Sequence, residues 1–176
     1  AGEPVTVIVC HWPSRFSGPA YRERAAYLVK DIKDSLLRVD PATKVFIMGD
    51  MNDDPTNKSM KDILGAKPEV KDVKDGCMYN PWYNILVKQG TGTLSYQGSW
   101  NLFDQIVMTP NLVNTDGKKD FSTLKYWKNQ IFRRDYLMNT EGRYKGTPKR
   151  THASGIWLDG FSDHLPVVVY LVKEQK

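Results

Sequence analysis

The sequence predicts an α/β fold, a sheet with flanking helices, and three observations lead there. Two β-branched apolar runs, residues 5–10 and 44–48, bracket a stretch with helical periodicity. Two later apolar runs, 104–109 and 167–172, each begin beside acidic or imidazole side chains. The length of 176 residues, with 40% hydrophobic and 26% charged residues, suits one globular domain with a real core, spanning residues 1–176.

Taken in order, the first run ends in His11-Trp12-Pro13 and reads as a buried strand stopped by proline. Residues 21–39 place apolar side chains at 25, 28, 29, 32, 36 and 37, an amphipathic helix of about five turns ended by Asp40-Pro41. Residues 44–48 form a second buried strand that runs into Gly49-Asp50-Met51-Asn52-Asp53-Asp54-Pro55. Strand, helix and strand make a right-handed βαβ unit with parallel strands. A short helix is expected at 59–64, and 67–84 reads as irregular because turn formers crowd it. Residues 90–98 resemble a hairpin arm or extended loop before the strand at 104–109, which Pro110 stops. Within 114–160 one regular segment is expected near 123–132, and Asp163-His164-Leu165-Pro166 leads into the last strand. No repeat or low-complexity tract interrupts the chain.

Composition excludes some classes. No apolar run is long enough to span a bilayer, and the first eleven residues lack the basic start and small-residue cleavage site of a secretory signal. The sequence assigns no cellular address. The two cysteines, Cys10 and Cys77, match no zinc or redox spacing, and Cys10 reads as a small buried hydrophobe. The net charge is +5, and its distribution is uneven. Residues 118–150 hold ten Lys/Arg against three Asp/Glu, a net +7, interleaved with Phe121, Tyr126, Trp127, Phe132, Tyr136 and Tyr144. Such a segment suits an anionic partner, with nucleic acid among the candidates; a solvated loop packed over its aromatics explains it as well.

Strand ends in open α/β sheets are where loops can aim polar groups into one cleft. His11 follows the first strand, Asp50 and Asn52 follow the second, Asp104 opens the third, and Asp163 with His164 precedes the last. Each piece alone also fits a turn, a solvated strand end or a core histidine. Together, carboxylate and amide oxygens suit Mg²⁺ or Mn²⁺, a carboxylate or imidazole can take a proton from water, and a second imidazole can donate to developing charge. That is the equipment for hydrolysing a phosphate ester.

Four segments carry a resemblance. His11-Trp12-Pro13-Ser14-Arg15, Gly49 to Pro55, Asp104-Gln105-Ile106 and Ser162-Asp163-His164-Leu165-Pro166-Val167 resemble, in order, the last four motifs of the endonuclease/exonuclease/phosphatase superfamily. The resemblance covers nearly the whole chain. It implies a DNase I-like two-sheet α/β sandwich, of which this chain supplies roughly the C-terminal half. It implies that His11 bonds the scissile phosphate, Asp50 activates or orients water, and Asn52 holds phosphate or metal. Asp163 then belongs to the metal and water site, His164 contacts phosphate as acid or electrostatic stabiliser, and Asp104 fixes His164. Arg15 reads either as a phosphate contact or as a surface arginine.

The family pattern also has an N-terminal half with an Asn at an early strand end and a Glu that is the principal metal ligand. Neither has a counterpart here, since Glu3 sits at the wrong end of the first strand. A partial chain of this kind is expected to bind Mg²⁺ weakly and to be nearly inactive alone. It should also expose the sheet face meant for the other half, and so to form a homodimer or to associate with that half. The function expected is a metal-dependent phosphoester hydrolase, a nuclease-like phosphodiesterase first and a phosphomonoesterase or phospholipid-headgroup hydrolase second. An inactive anion- or nucleic-acid-binding module is the reading from another class.

Overall fold

The computed structural model describes residues 2–175. Along the chain run β1 (Val5–His11), α1 (Pro19–Val39), β2 (Lys44–Asp50), β3 (Ala66–Lys67), β4 (Met78–Tyr79) and α2 (Tyr83–Gln89). Then come β5 (Leu94–Tyr96), β6 (Ser99–Asn101), β7 (Asp104–Met108), β8 (Lys125–Ile131), β9 (His152–Ala153), β10 (Ile156–Trp157) and β11 (Val167–Val172). The main sheet has five strands in the order β1-β2-β7-β4-β3. β1 and β2 are parallel, as the βαβ reading requires, and β7 is antiparallel to β2, so the sheet is mixed.

α1 begins at Pro19, where a fixed φ and a missing N–H cost a first helical turn nothing. Its stripe of Ala26, Val29 and Leu36 packs on Ile8, Val45, Ile47 and Val107 to fill one side of the sheet. The other side is a second core, in which Phe46, Met48, Ile106 and Met108 meet Tyr126, Ile131, Val167, Val169 and Leu171 of the β8–β11 ribbon. Trp82, fully buried there, donates from Nε1 to Ile106 O at 2.9 Å. The stretch read as irregular therefore contains β4 and the start of α2, elements too short for a periodic signal. The region expected to form a short helix winds as a single wide turn over Ser59–Ile63.

β1 departs from its reading as a buried strand. Its alternate residues Val5, Val7 and Val9 are 43%, 47% and 73% exposed. The strand lies at the sheet edge, and the β8–β11 ribbon covers β2 and β7 without any β1 side chain joining that core. Glu3 stands at the end where β1 starts. It accepts from Lys44 Nζ, from Lys173 Nζ at 2.5 Å and from Leu124 N at 3.1 Å, which ties β1, β2, the approach to β8 and the tail after β11 together.

Candidate active site

At the opposite end of the sheet, strand register brings three of the expected residues into one row. His11 pairs with Asp50 across β1 and β2, and Asp50 with Asp104 across β2 and β7. Adjacent strands lie about 4.8 Å apart, so the three side chains are neighbours by construction. Alternation sets their side: His11 continues the face of Val5, Val7 and Val9, as Asp50 continues that of Phe46 and Met48. Gly49 between Met48 and Asp50 has φ 133°, and a Cβ there would stand 1.9 Å from Cys10 O. Glycine is thus what lets β2 run close beside β1 at the site. Beyond the strand ends, Trp12 N donates to Asp50 O at 2.9 Å and Met51 N to Phe103 O at 2.8 Å, so the loops leave the sheet already oriented.

His164 arrives from another direction, just before β11. Its Nδ1 lies 2.7 Å from Asp104 Oδ2 and 3.9 Å from Asp50 Oδ2. On the other flank, His11 Nε2 lies 3.7 Å from Asp50 Oδ2, with the ring 77% exposed. Leu165 N donating to Thr93 O at 2.8 Å and His164 N donating to Ser162 Oγ at 3.0 Å hold the segment that presents the ring. Burial of His164 disfavours its imidazolium, but the hydrogen bond to Asp104 and the charges of Asp104, Asp50 and Asp163 outweigh it. The result is a pKa above the ordinary histidine value.

Asn52 occupies the left-handed region at φ 49°. Its N donates to Asp50 Oδ1 at 2.8 Å and its Nδ2 to Trp12 O at 2.9 Å, leaving Oδ1 without a hydrogen-bond partner among the described residues. Asp163 lies close enough for its charge to act on His164, and Arg150 Nη2 meets its Oδ2 at 3.1 Å in an exposed ion pair. Arg15 directs its guanidinium into protein acceptors of the neighbouring loops. The structure thus gathers His11, Asp50, Asn52, Asp104 and His164, with the exposed Asp163 beside His164 and Arg15 bonded to the Asn52 carbonyl.

Sequence reasoning passed over the residues that hold the β2 loop. Asp53, inside the quoted motif, is buried, meets Arg22 Nε at 2.7 Å and accepts from Ser59 Oγ at 2.6 Å. The same guanidinium donates through Nη1 to Ser14 O at 3.0 Å and Gly18 O at 3.2 Å, joining the loops after β1 and β2. Gln105, fully buried, donates to Asp53 O at 2.8 Å and accepts from Asn80 Nδ2 at 2.8 Å. The available signal was a charged residue, Arg22, on the apolar stripe of a helix.

Charge balance separates the acids of this end. Asp53, Asp54 and Asp163 each have an arginine partner: Arg22, Arg15 and Arg150. Among the described residues Asp50 and Asp104 have only His11 and His164. Asp50, Asp104 and His164 each offer one ligand atom, all within 4.8 Å of one another, a set of hard oxygens and one nitrogen that could hold a divalent cation. A His164 Nδ1 that keeps its proton for Asp104 would leave the ion to the carboxylates and to Asn52 Oδ1.

The basic segment is split by the fold. β8 starts at the Glu3 end and finishes at Ile131, which pairs with Val167 just past His164. Lys118 and Lys119 therefore precede the strand at the far end. Arg133, Arg134, Arg143, Lys145, Lys149 and Arg150 follow it on the site side. Both cysteines are free, and no helix among the described residues is long and apolar enough to cross a membrane.

Comparison with known proteins gives a family and a fold. The sequence profile described as "Endonuclease/Exonuclease/phosphatase family" matches residues 1–173. Among solved structures, a mannosyl-6-phosphatase of Bacteroides thetaiotaomicron is similar at 18% identity, over 94% of this chain and 50% of that one, with a TM-score of 0.53. A truncated TDP2 of Caenorhabditis elegans is similar at 16% identity, over 98% and 56%, also with a TM-score of 0.53. No curated protein matches. The chain spans about half the length of these structures, and the expected DNase I-like α/β fold is borne out.

Proposed function

This chain belongs to the endonuclease/exonuclease/phosphatase family, a family of phosphoester hydrolases, and from its site we propose that it forms the C-terminal half of a divalent-metal-dependent, nuclease-like phosphodiesterase. The observation that carries the proposal is the pair of carboxylates, Asp50 and Asp104, set between two imidazoles with no lysine or arginine among the described residues to neutralise them.

In this reading Asp50 accepts a proton from, or orients, the attacking water, and its contact with Asn52 N fixes which oxygen faces that water. Asp104 holds the His164 ring and favours the imidazolium, which donates toward the charge that grows on the phosphoryl group. His11, exposed at the open side of Asp50, reaches a non-bridging phosphate oxygen. Mg²⁺ or Mn²⁺, held by Asn52 Oδ1, Asp163 and the unpaired carboxylate oxygens, would supply neutralisation of the phosphoryl oxygens. Asp163 can change partner because an exposed ion pair such as that with Arg150 contributes only about 0–1 kcal/mol. Mg²⁺ keeps several of its waters and relies on a few carboxylates together with substrate phosphate, so binding is expected to tighten when substrate and further polypeptide add ligands.

Support for a diester substrate comes from the six basic residues between 133 and 150, which follow β8 on the site side and suit a polyanion. The open face of β1 supports a second copy or further polypeptide beside His11. The test is Mg²⁺-dependent hydrolysis of a bis-ester and a mono-ester phosphate by the chain lengthened toward the size of its structural relatives, with Asp163→Ala as control. Cleavage of the bis-ester, abolished in the variant, is expected. Preference for the mono-ester would turn the proposal to a phosphatase, and cleavage of neither would leave an anion-binding module.

A further inference from the structure

Arg15 is the cation that the sequence offers as a phosphate contact, yet its surroundings commit it elsewhere. Nε donates to Asn52 O at 3.2 Å, and Nη2 donates to Asp54 Oδ2 at 2.9 Å and to Asn57 Oδ1 at 3.3 Å. Nη1 donates to Asn101 Oδ1 at 3.4 Å, and the guanidinium carbon lies 4.3 Å from the centre of the Phe103 ring. A guanidinium has five N–H donors, and four hydrogen bonds here go to protein. One planar group therefore connects the loop after β1, the loop after β2, the end of β6 and the residue just before β7. Asp54, its charge partner, also accepts from Leu102 N at 2.7 Å, which draws the β6–β7 connection into the same knot.

The consequence falls on Asn52. Asparagine enters the left-handed region more readily than other non-glycine residues, but at φ 49° it still holds a sparsely populated conformation that its surroundings help to select. Three contacts do so from three directions: Asp50 Oδ1 on its N–H, Trp12 O on its side-chain amide, and Arg15 Nε on its carbonyl. Arg15 is the one of the three that reaches across from the β1 loop by side chain. We infer that Arg15 is a positioning residue: it fixes the left-handed turn at Asn52, and through the Asn52 N–H the rotamer of the Asp50 carboxylate, without touching substrate.

Lysine separates this from a phosphate contact. An ammonium keeps the charge but can neither fork between Asn52 O, Asp54 and Asn57 nor stack on Phe103. A positioning Arg15 is not rescued by lysine, whereas a phosphate ligand largely is.

The catalytic half of the inference rests on the hydrolase reading, so the experiment has two arms. In the first, amide hydrogen exchange of the chain itself is compared for wild type, Arg15→Lys and Arg15→Ala. Both variants should exchange about tenfold faster over residues 51–57, with the β2 and β7 amides unchanged. In the second, the lengthened protein should lose about 10- to 100-fold in kcat in both variants with KM nearly constant, as expected when a reacting group is misplaced. Unchanged exchange with a raised KM that Arg15→Lys restores would overturn the inference in favour of a phosphate ligand. Unchanged exchange and unchanged kinetics would overturn it outright. Faster exchange in both variants, together with a lengthened wild-type protein that hydrolyses no ester, would sink the hydrolase reading while leaving the hold on Asn52 supported.

Discussion

The two ends of the central sheet handle charge in opposite ways. At the end where β1 starts, the carboxylate of Glu3 is met by two lysines, Lys44 and Lys173, and by the Leu124 N–H. Lys173 first, then Lys44, then that N–H hold its pKa down at about 2. At the other end Asp53, Asp54 and Asp163 are likewise neutralised, each by an arginine, but among the described residues Asp50 and Asp104 face only imidazoles. Where a carboxylate's work is to hold strands together, its countercharge is built in. Where two carboxylates are left without one, in a row with His11 and beside His164, the countercharge has to be delivered as protons, a metal ion or both.

The sharpest way to break this comparison is to remove one acid at each end. If the proposed hydrolysis holds, Asp104→Asn in the lengthened protein should lower it by about 10²–10⁴-fold, the usual range for losing a positioned acid–base group, and Asp50→Asn should do the same. Glu3→Gln should leave turnover within a few-fold, measured as kcat/KM on the bis-ester. Neither aspartate variant should unfold the chain, because asparagine keeps the shape of the side chain and an oxygen that can still accept at the His164 ring or the Asn52 N–H. A Glu3→Gln enzyme as impaired as Asp104→Asn would erase the distinction between the two ends.

Much of the site end was legible in the sequence, for a physical reason. Polar groups at the ends of apolar runs are fixed by strand register, and register follows from hydrophobic patterning. His11, Asp50 and Asp104 therefore fell into one row once β1, β2 and β7 were recognised. Arg22, Asp53 and Gln105 were not legible as loop holders, because their partners lie far along the chain and no periodicity announces a buried polar contact. Arg15 shows the same limit, since a cation beside a catalytic motif suits a phosphate, and only the positions of Asn52, Asp54, Asn57 and Phe103 show where its donors go. The Glu3 cluster was illegible too: four segments converge there, and nothing local to residue 3 points to Lys173. The valine row of β1 was misread because a continuous apolar run says that a strand can be covered on both faces, not that this chain covers it.

A smaller effect sharpens the comparison through pH. The Glu3 carboxyl is depressed in the folded state, from its ordinary 4.5 to about 2, so its stabilisation is present above 4.5 and is lost as pH falls through about 2. Wild type should therefore be more stable than Glu3→Gln at neutral pH, with the gap closing between 4.5 and about 2 and gone below it. Thermal unfolding followed by circular dichroism across that range reads the difference directly. A gap that persists at the acid end would assign the role of Glu3 to its shape and neutral hydrogen bonds rather than to its charge.

The smallest expected effect is on the isolated chain and concerns what lies beside His11. Val5, Val7 and Val9 share a face with His11, Asp50 and Asp104, so whatever covers the valines also borders the site. Fully burying one valine contributes about 1.5–3 kcal/mol, and a half-exposed valine on an edge strand contributes little of that to the chain alone. Val7→Lys should thus change the unfolding free energy of the chain by no more than about 0.5 kcal/mol, as a surface substitution does. The same change should abolish self-association seen by light scattering, and in the lengthened protein it should cost the full burial term. A chain that remains monomeric at high concentration with or without the lysine would remove the second copy as the occupant of that face. The burial cost in the lengthened protein would then assign the face to the additional polypeptide.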